Sequence, residues 1–340
     1  MTNTLYLDKK EAWDLALNAL QHNQTSKENA KDVADALISA EIDGQTGHGL
    51  SRLPSYIEQL SSGKVDGNVN PTIVSSKGSV IRIDAKHGFA FPALSLAINE
   101  LTNATKKYGI AAVSVSNSHH FGQAGRYVEC LADSGLIGLM FGNTPKAIPP
   151  WGGTQALFGT NPICFGSPTG SKIPFILDSS VSVINRGKIR RAAKLGLKIP
   201  FDVALDKNGK PTNDPKKAIE GVQLPIAGFR GSGLAWMVDI LSGVFTGGNH
   251  SGKVRDPFDD FSGPQEIGHL FITIKPNLFA TPPNKKLLMN FLLGSIQLSH
   301  GTLNPFFERS RVRCFSIKVA PAAIAIAGNA LASSISSALI

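Results

Sequence analysis

The chain has 340 residues, of which 42% are apolar and 17% charged, a balance that excludes a disordered protein and supports a sizeable core. Its formal net charge is +9, but six of those charges fall within residues 271–340, so the body is nearly neutral and carries no basic, aromatic-interleaved stripe for nucleic acid. Three cysteines, Cys130, Cys164 and Cys314, lack C-x-x-C spacing. That excludes a disulfide frame or a cysteine metal site, and with a start lacking a signal pattern it points to the cytoplasm.

Along the chain, the spacing of Trp13, Ala16, Leu17 and Leu20 predicts a helix over residues 9–22. Thr25-Ser26 with Glu28 starts a second helix, continued by Val33, Ala36, Leu37 and Ala40. The stretch that follows reads as a helix end, and a helix there would place His48 and Arg52 on one face, about 5–6 Å apart at Cβ. Short β runs are expected at residues 79–83, 110–115, 137–141, 175–177 and 270–274. Helices are expected around Ala97 and Leu101, over residues 126–133 and over residues 233–245, and residues 201–216 read as exposed turns. The class is therefore α/β. Residues 319–340 are uncharged and long enough to span a bilayer. Their Ala, Ser, Gly, Asn and Pro content makes insertion weak, so no membrane partner is expected.

Four polar segments punctuated by glycine and proline stand out. In Gly47-His48-Gly49-Leu50-Ser51-Arg52, the guanidinium can grip a carboxylate with a forked hydrogen bond while the imidazole exchanges a proton with a neighbouring hydroxyl or carbonyl. In Ser118-His119-His120-Phe121-Gly122-Gln123-Ala124, a strand runs into a turn whose backbone N–H groups would face an anionic ligand, with His120 preferred over His119 as a contact. The third, residues 143–162, is a long loop with Trp151 and Thr160 that shapes a pocket. The fourth joins Leu177-Asp178-Ser179-Ser180, Arg186-Gly187-Lys188 and Phe229-Arg230-Gly231, offering a carboxylate, further cations and a second anion cradle. Each piece alone reads equally well as solvated turn residues. No strand–G-x-G-x-x-G–helix fingerprint, P-loop, H-E-x-x-H or G-x-S-x-G occurs in place, so no metal is expected and a dinucleotide would bind outside the Rossmann plan.

Asp43-Gly44 through Tyr56, Asp84 with Gly88-Phe89, the His120 turn, residues 150–165, Leu177-Asp178, Gly187-Lys188-Ile189, residues 206–214 and residues 231–248 together resemble the malate/L-lactate dehydrogenase family of the second type. That family includes ureidoglycolate and sulfolactate dehydrogenases and Δ1-piperideine-2-carboxylate reductases. The resemblance runs from residue 5 to about residue 280. It implies a non-Rossmann α/β fold, with a mostly antiparallel NAD(P)-binding sheet, a helical domain built from both chain ends, and a homodimer. The implied bounds are 1–75 for the helical substrate and dimer part, 76–280 for the cofactor part and 281–340 for an atypical C-terminal segment. The implied activity interconverts a small 2-hydroxy acid and its 2-oxo acid with NAD or NADP, the partner being a small carboxylate substrate. His48 would be the proton donor and acceptor, Arg52 the substrate clamp and Lys188 a further catalytic group. Thr160, Arg186 and Gly187 would join Arg52 at the substrate. His120, Phe121, Gly122, Gln123, Ala124, Asp178, Ser179, Ser180, Phe229 and Arg230 would line the cofactor.

The sequence also departs from the family pattern. Gly47 and Lys188 replace a Ser and an Asp that form a relay in the imine-reductase branch, which favours a ketone over an imine. A Δ1-piperideine- or Δ1-pyrroline-2-carboxylate reductase is the alternative, and a cofactor-binding inactive remnant is the alternative of another class. Arg230 replaces a usual Lys, Phe201-Asp202-Val203 a usual Gly-Trp, and Ser179-Ser180-Val181-Ser182 an Ala-Thr-Ser. Beyond residue 280 the family's closing helices are not recognisable. The basic, then Ala/Ser-rich tail has the composition of a shifted reading frame and is expected to be frame-altered or disordered.

Overall fold

The computed structural model describes residues 5–169, 173–257, 262–279 and 317–319. Expectations for the rest of the 281–340 segment lie outside the described residues. Strand β1 (Leu5–Leu7) pairs antiparallel with Ile317–Val319, which brings an early and a late segment together. Helix α1 (Lys9–His22) starts where Asp8 and Glu11 cap each other, each backbone N–H donating to the other's carboxylate at 2.8 Å. Helix α2 (Lys27–Ile42) starts at Ser26, whose Oγ accepts from Asn29 N at 3.2 Å. Helix α3 (Leu53–Ser61) carries Pro54 in its first turn, where a missing N–H costs nothing. The apolar faces of these helices bury Ala16, Leu20, Val33, Leu37 and Leu53 in one core, which Phe89 and Phe91 join from later in the chain.

The second core lies on a sheet. Its elements enter as β2 (Thr72–Lys77), β3 (Val80–Asp84), α4 (Ala90–Tyr108), β4 (Ile110–Ser118), α5 (Gly125–Asp133), β5 (Ile137–Gly142), β6 (Ile163–Ser167) and β7 (Phe175–Ser179). A smaller unit follows, made of α6 (Arg186–Leu195), β8 (Ala204–Leu205), α7 (Pro215–Glu220) and β9 (Val222–Gln223), around Ile189, Ile199, Val203 and Ala218. Helix α8 (Phe229–Val238) then leads to β10 (Ile267–Ile274), which inserts in the middle of the sheet. The strand order is β2-β3-β4-β10-β5-β6-β7, and β3–β4 is its one parallel pair. That pair is joined by α4, because parallel neighbours need a crossover. The fold is thus α/β with a mostly antiparallel sheet, not a doubly wound one.

Three elements had no counterpart among the expectations, and two expectations need correction. Strand β2 is an exposed edge without apolar alternation, and β6 is hidden in a stretch rich in Pro and Gly. Residues 186–195, to which no element was assigned, form α6, with Asn185 Oδ1 capping Lys188 N at 2.8 Å. Residues 201–216 contribute a short strand as well as turns. The helix expected over 233–245 begins at Phe229 and widens at Asp239–Val244 into a π-turn. There Ser242 Oγ donates to Val238 O and Thr246 Oγ1 to Ser242 O, both at 2.6 Å, and these hydroxyls compete with the backbone for its carbonyls. No helix among the described residues is long and apolar enough to cross a membrane.

The π-turn lies directly on β10. A Cβ at Gly268 would overlap the Ser242 carbonyl and the Thr246 hydroxyl. Gly268→Ala should therefore lift the π-turn from the sheet and cost about 1–3 kcal/mol by urea denaturation. A midpoint unchanged from the parent would show that the contact is not tight.

Candidate active site

His48 and Arg52 do not share a helix face. The chain leaves α2 through consecutive turns, with His48 N donating to Gln45 O at 2.7 Å and Arg52 N to Gly49 O at 2.9 Å, before one 3₁₀ turn (Leu50–Arg52) enters α3. The cause is Glu41, buried near the end of α2, whose carboxylate passes under the turn and accepts from Leu50 N at 2.8 Å. A Cβ on Gly49 would overlap that carboxylate, so this position needs glycine. Burial pushes the Glu41 carboxyl up, and the Leu50 N–H opposes it. Arg52 Nε donates back to Gly47 O at 2.5 Å and closes the loop around His48.

Against this loop lies the turn after β4. The His120 ring is nearly parallel to His48, with centroids 5.6 Å apart and 16° between planes. His120 Nδ1 meets Tyr56 Oη at 2.8 Å and Gly122 N at 3.4 Å. Phe121 lies beside His120 and carries the contact on to His269, whose Nε2 meets Ser118 Oγ at 3.0 Å. His119 is 1% exposed, whereas His120 is half-buried.

The expected anion cradle at the start of α5 is already filled from within the chain. Asp178 Oδ2 accepts from Gly125 N at 2.8 Å, and its Oδ1 accepts from Cys164 Sγ at 3.4 Å. His120 N donates to Gln265 Oε1 at 3.2 Å. The turn's amides thus serve the fold. Gln123 Nε2 donates to Asp43 Oδ2 at 3.0 Å, whereas Gln123 Oε1 is buried with no partner among the described residues.

Burial, and then the Arg52 guanidinium, pull His48 from 6.5 to about 4, with Asp178 opposing. The ring is therefore neutral near pH 7 and able to take a proton. Its Nδ1 is buried without a partner among the described residues. Burial, then Arg52 and His48, hold His120 well below its usual range. Arg52 is lowered chiefly by burial, yet a guanidinium keeps its charge. Beside it, Arg186 Nη1 pairs with Asp256 Oδ2 at 3.3 Å and Lys64 Nζ donates to Asp256 O at 2.7 Å.

The remaining expected residues divide between those brought together and those left apart. Thr160 N donates to Thr144 Oγ1 at 2.9 Å and Thr160 O accepts from Val181 N at 2.8 Å, which places Thr160 next to Ser180. The Ser179 and Ser180 hydroxyls make only local bonds, to Ser180 O and to Ser182. Loop 143–162 is fastened to α8, with Trp151 N donating to Ser232 Oγ at 3.0 Å and Asn161 Nδ2 to Ala235 O at 2.9 Å. Phe229 and Arg230 are exposed at the start of α8, the guanidinium 5.1 Å from the ring centroid. Gly187 and Lys188 are exposed on the first turn of α6, and among the described residues Lys188 is engaged through its backbone N–H. Sequence reasoning missed Glu41 and Tyr56 as parts of this site. An acid on the buried side of α2 and a tyrosine four residues beyond Arg52 were the available signals. Among the described residues no group of three His, Cys, Asp or Glu could hold a metal.

The malate/L-lactate dehydrogenase family pattern matches residues 7–302. The chain belongs to this family. It is 41% identical over 271 residues to the (2R)-3-sulfolactate dehydrogenase (NADP(+)) of Chromohalobacter salexigens, covering 80% of this chain and 81% of that one. It is 37% identical over 256 residues to a Δ1-pyrroline-2-carboxylate/Δ1-piperideine-2-carboxylate reductase of Pseudomonas syringae pv. tomato, covering 74% of each. In structure it is similar to the sulfolactate dehydrogenase of Methanocaldococcus jannaschii, with a TM-score of 0.87 at 30% identity over 97% of both chains. It is also similar to the Δ1-piperideine-2-carboxylate reductase of Pseudomonas syringae, with a TM-score of 0.88 at 31% identity over 96% of this chain and 100% of that one. The relatives thus include both a hydroxy acid dehydrogenase and imine reductases.

Proposed function

We propose that the protein is an NAD- or NADP-dependent dehydrogenase interconverting a small 2-hydroxy acid and its 2-oxo acid, with His48 as acid/base and Arg52 as carboxylate clamp. The observation that carries this reading is a neutral, half-buried imidazole held in the same tight turn as a half-buried guanidinium. Arg52 binds the substrate carboxylate by a forked pair of hydrogen bonds and thereby orients the adjacent carbon. A secondary alcohol holds its proton far too tightly to lose it to water at neutral pH, so His48 takes that proton on oxidation and returns it on reduction. A nicotinamide, when bound, supplies the hydride chemistry.

The orphaned Gln123 Oε1 and the ring of His120 offer an acceptor and a polar edge that fit a carboxamide-bearing cofactor. His120, Phe121, Gly122, Gln123, Ala124, Asp178, Ser179, Ser180, Phe229 and Arg230 are the residues we assign to it. Thr160, Arg186 and Gly187 are assigned to the substrate side. Arg186 has support from its ion pair with Asp256, which lies close enough to Arg52 to attract it electrostatically. Lys188 gains no support from its exposed position. Gly47, which has no side chain to relay a proton, favours a ketone over an imine.

We assign residues 1–75 to the helical substrate part and 76–280 to the cofactor part, and place the protein in the cytoplasm because Cys130 and Cys164 are free thiols. We also assign it a homodimer through α8 and the π-turn, where Phe229, Trp236, Ile240 and Val244 are 59%, 51%, 47% and 57% exposed. Light scattering at assay concentrations should give twice the chain mass, and Trp236→Glu should halve it. A monomeric parent would remove the assignment.

A panel of malate, lactate, 3-sulfolactate and cyclic imines with both cofactors tests the activity. Turnover of a 2-hydroxy acid should fall by about 10²–10⁴-fold in His48→Ala. Turnover of cyclic imines alone would move the function to imine reduction. The pH profile tests the base separately. Because the folded pKa lies below 6.5, hydroxy acid oxidation should stay flat as pH falls through 6.5, and be lost only near pH 4. A bound carboxylate raises the pKa of His48, so the acid limb of kcat should lie above that of kcat/KM. A kcat/KM limb at 6.5 or higher would place the titrating base elsewhere.

A further inference from the structure

Tyr56 has no part in the roles assigned so far, yet it is 2% exposed and links the two histidines' surroundings to α3. Its hydroxyl lies 2.8 Å from His120 Nδ1, and Gly122 N lies 3.4 Å from the same atom. A backbone amide can only donate. Nδ1 therefore accepts, the Tyr56 O–H donates to it, and the ring's proton sits on Nε2. His120 Nε2 makes no hydrogen bond with any described residue, and the ring that carries it is stacked on His48.

We propose that Tyr56 is a positioning residue, whose hydroxyl together with Gly122 N–H holds His120 in the Nε2–H tautomer, so that a neutral hydrogen-bond donor of fixed orientation stands beside the acid/base His48. This rests on His48 being the acid/base. A fixed donor there favours the substrate oxygen as negative charge develops on it, and needs no reorganisation during the reaction. A ring free to change tautomer would for part of the time turn a lone pair towards that oxygen. A protonated ring would add a further positive charge next to Arg52, and burial opposes that. Tyr56 is itself held by edge contacts with Phe89 and Phe91, at 5.6 and 5.9 Å between centroids. Phenylalanine keeps these contacts, so Tyr56→Phe removes the hydroxyl alone.

The test uses the full chain with ¹⁵N-labelled histidine, the His120 signals being assigned by their loss in His120→Gln. In the parent, His120 Nδ1 should resonate as an unprotonated acceptor and Nε2 as an N–H. In Tyr56→Phe both should move towards intermediate shifts, and kcat should fall by about tenfold, the worth of one such hydrogen bond, with KM much less changed. A glutamine amide donates without tautomers, so adding Tyr56→Phe to His120→Gln should cost less than about twofold. An active parent whose nitrogen shifts and kcat do not respond to Tyr56→Phe overturns the proposal. So does an equal loss in the His120→Gln background, which would make the tyrosine's role one of packing. A parent that turns over no 2-hydroxy acid overturns the functional reading instead, and the nitrogen shifts still decide whether Tyr56 sets the tautomer.

Discussion

The buried carboxylate of Glu41 has the Leu50 amide as its partner, and the arrangement of the site depends on that bond. A carboxylate taken out of water is costly unless it is hydrogen-bonded, and this one is satisfied only if the chain after α2 folds back over it as a tight turn. The turn in turn requires a glycine at position 49, where the carboxylate occupies the space of a Cβ. Pro54 then sets the start of α3 at Leu53. Between these two constraints His48 and Arg52 have little freedom, although neither belongs to an α-helix. A helix would have aligned them on one face. The turn instead lets Arg52 close against Gly47 and keeps His48 facing the sheet.

The site forms where the two cores touch. Tyr56 packs with Phe89 and Phe91 in the helical core and bonds to His120, while the neighbouring Phe121 belongs to the core of the sheet. Asp43 at the end of α2 holds Gln123, and Asp178 at the end of β7 holds the start of α5. The first of these ties crosses the apolar boundary between the cores and the second braces its sheet side, and low polarity there strengthens both and keeps the imidazoles neutral. The same boundary leaves His48 Nδ1 and Gln123 Oε1 without partners among the described residues. Buried polar atoms of that kind cost stability, and a site that trades stability for binding is where they belong.

The parts of this arrangement legible in the sequence are those written in local periodicity. Helices α1 and α2 show their apolar stripes and caps, and the inner strands show their apolar runs. Strand β2 was not legible, because an exposed edge has no face to bury, nor was α6, whose charged surface hides the single buried Ile189. At the site, residue types and glycine spacing marked His48, Arg52, His120 and Asp178. What they could not mark is the partner of each. Asp178, marked as a group for an outside ligand, also accepts from Gly125 N at the start of α5, and Tyr56, quoted only as the end of a resembling stretch, meets His120. Such pairings are tertiary, with 53 and 64 residues between partners, and no local pattern encodes them.

The depressed pKa of His48 also bears on the choice between ketone and imine chemistry. Reducing an imine requires a proton to be delivered to nitrogen, and an imidazole near pKa 4 is almost wholly unprotonated at neutral pH. A carboxylate beside the ring would raise that pKa, and Asp178 is the group that opposes burial and Arg52 here. A base of this kind is suited to taking a proton from a hydroxyl. The reverse reaction remains open to it because the substrate brings its own correction. Burial is the larger cause of the depression and Arg52 the second, so a carboxylate held by Arg52 would offset the second and raise the ring's affinity for a proton.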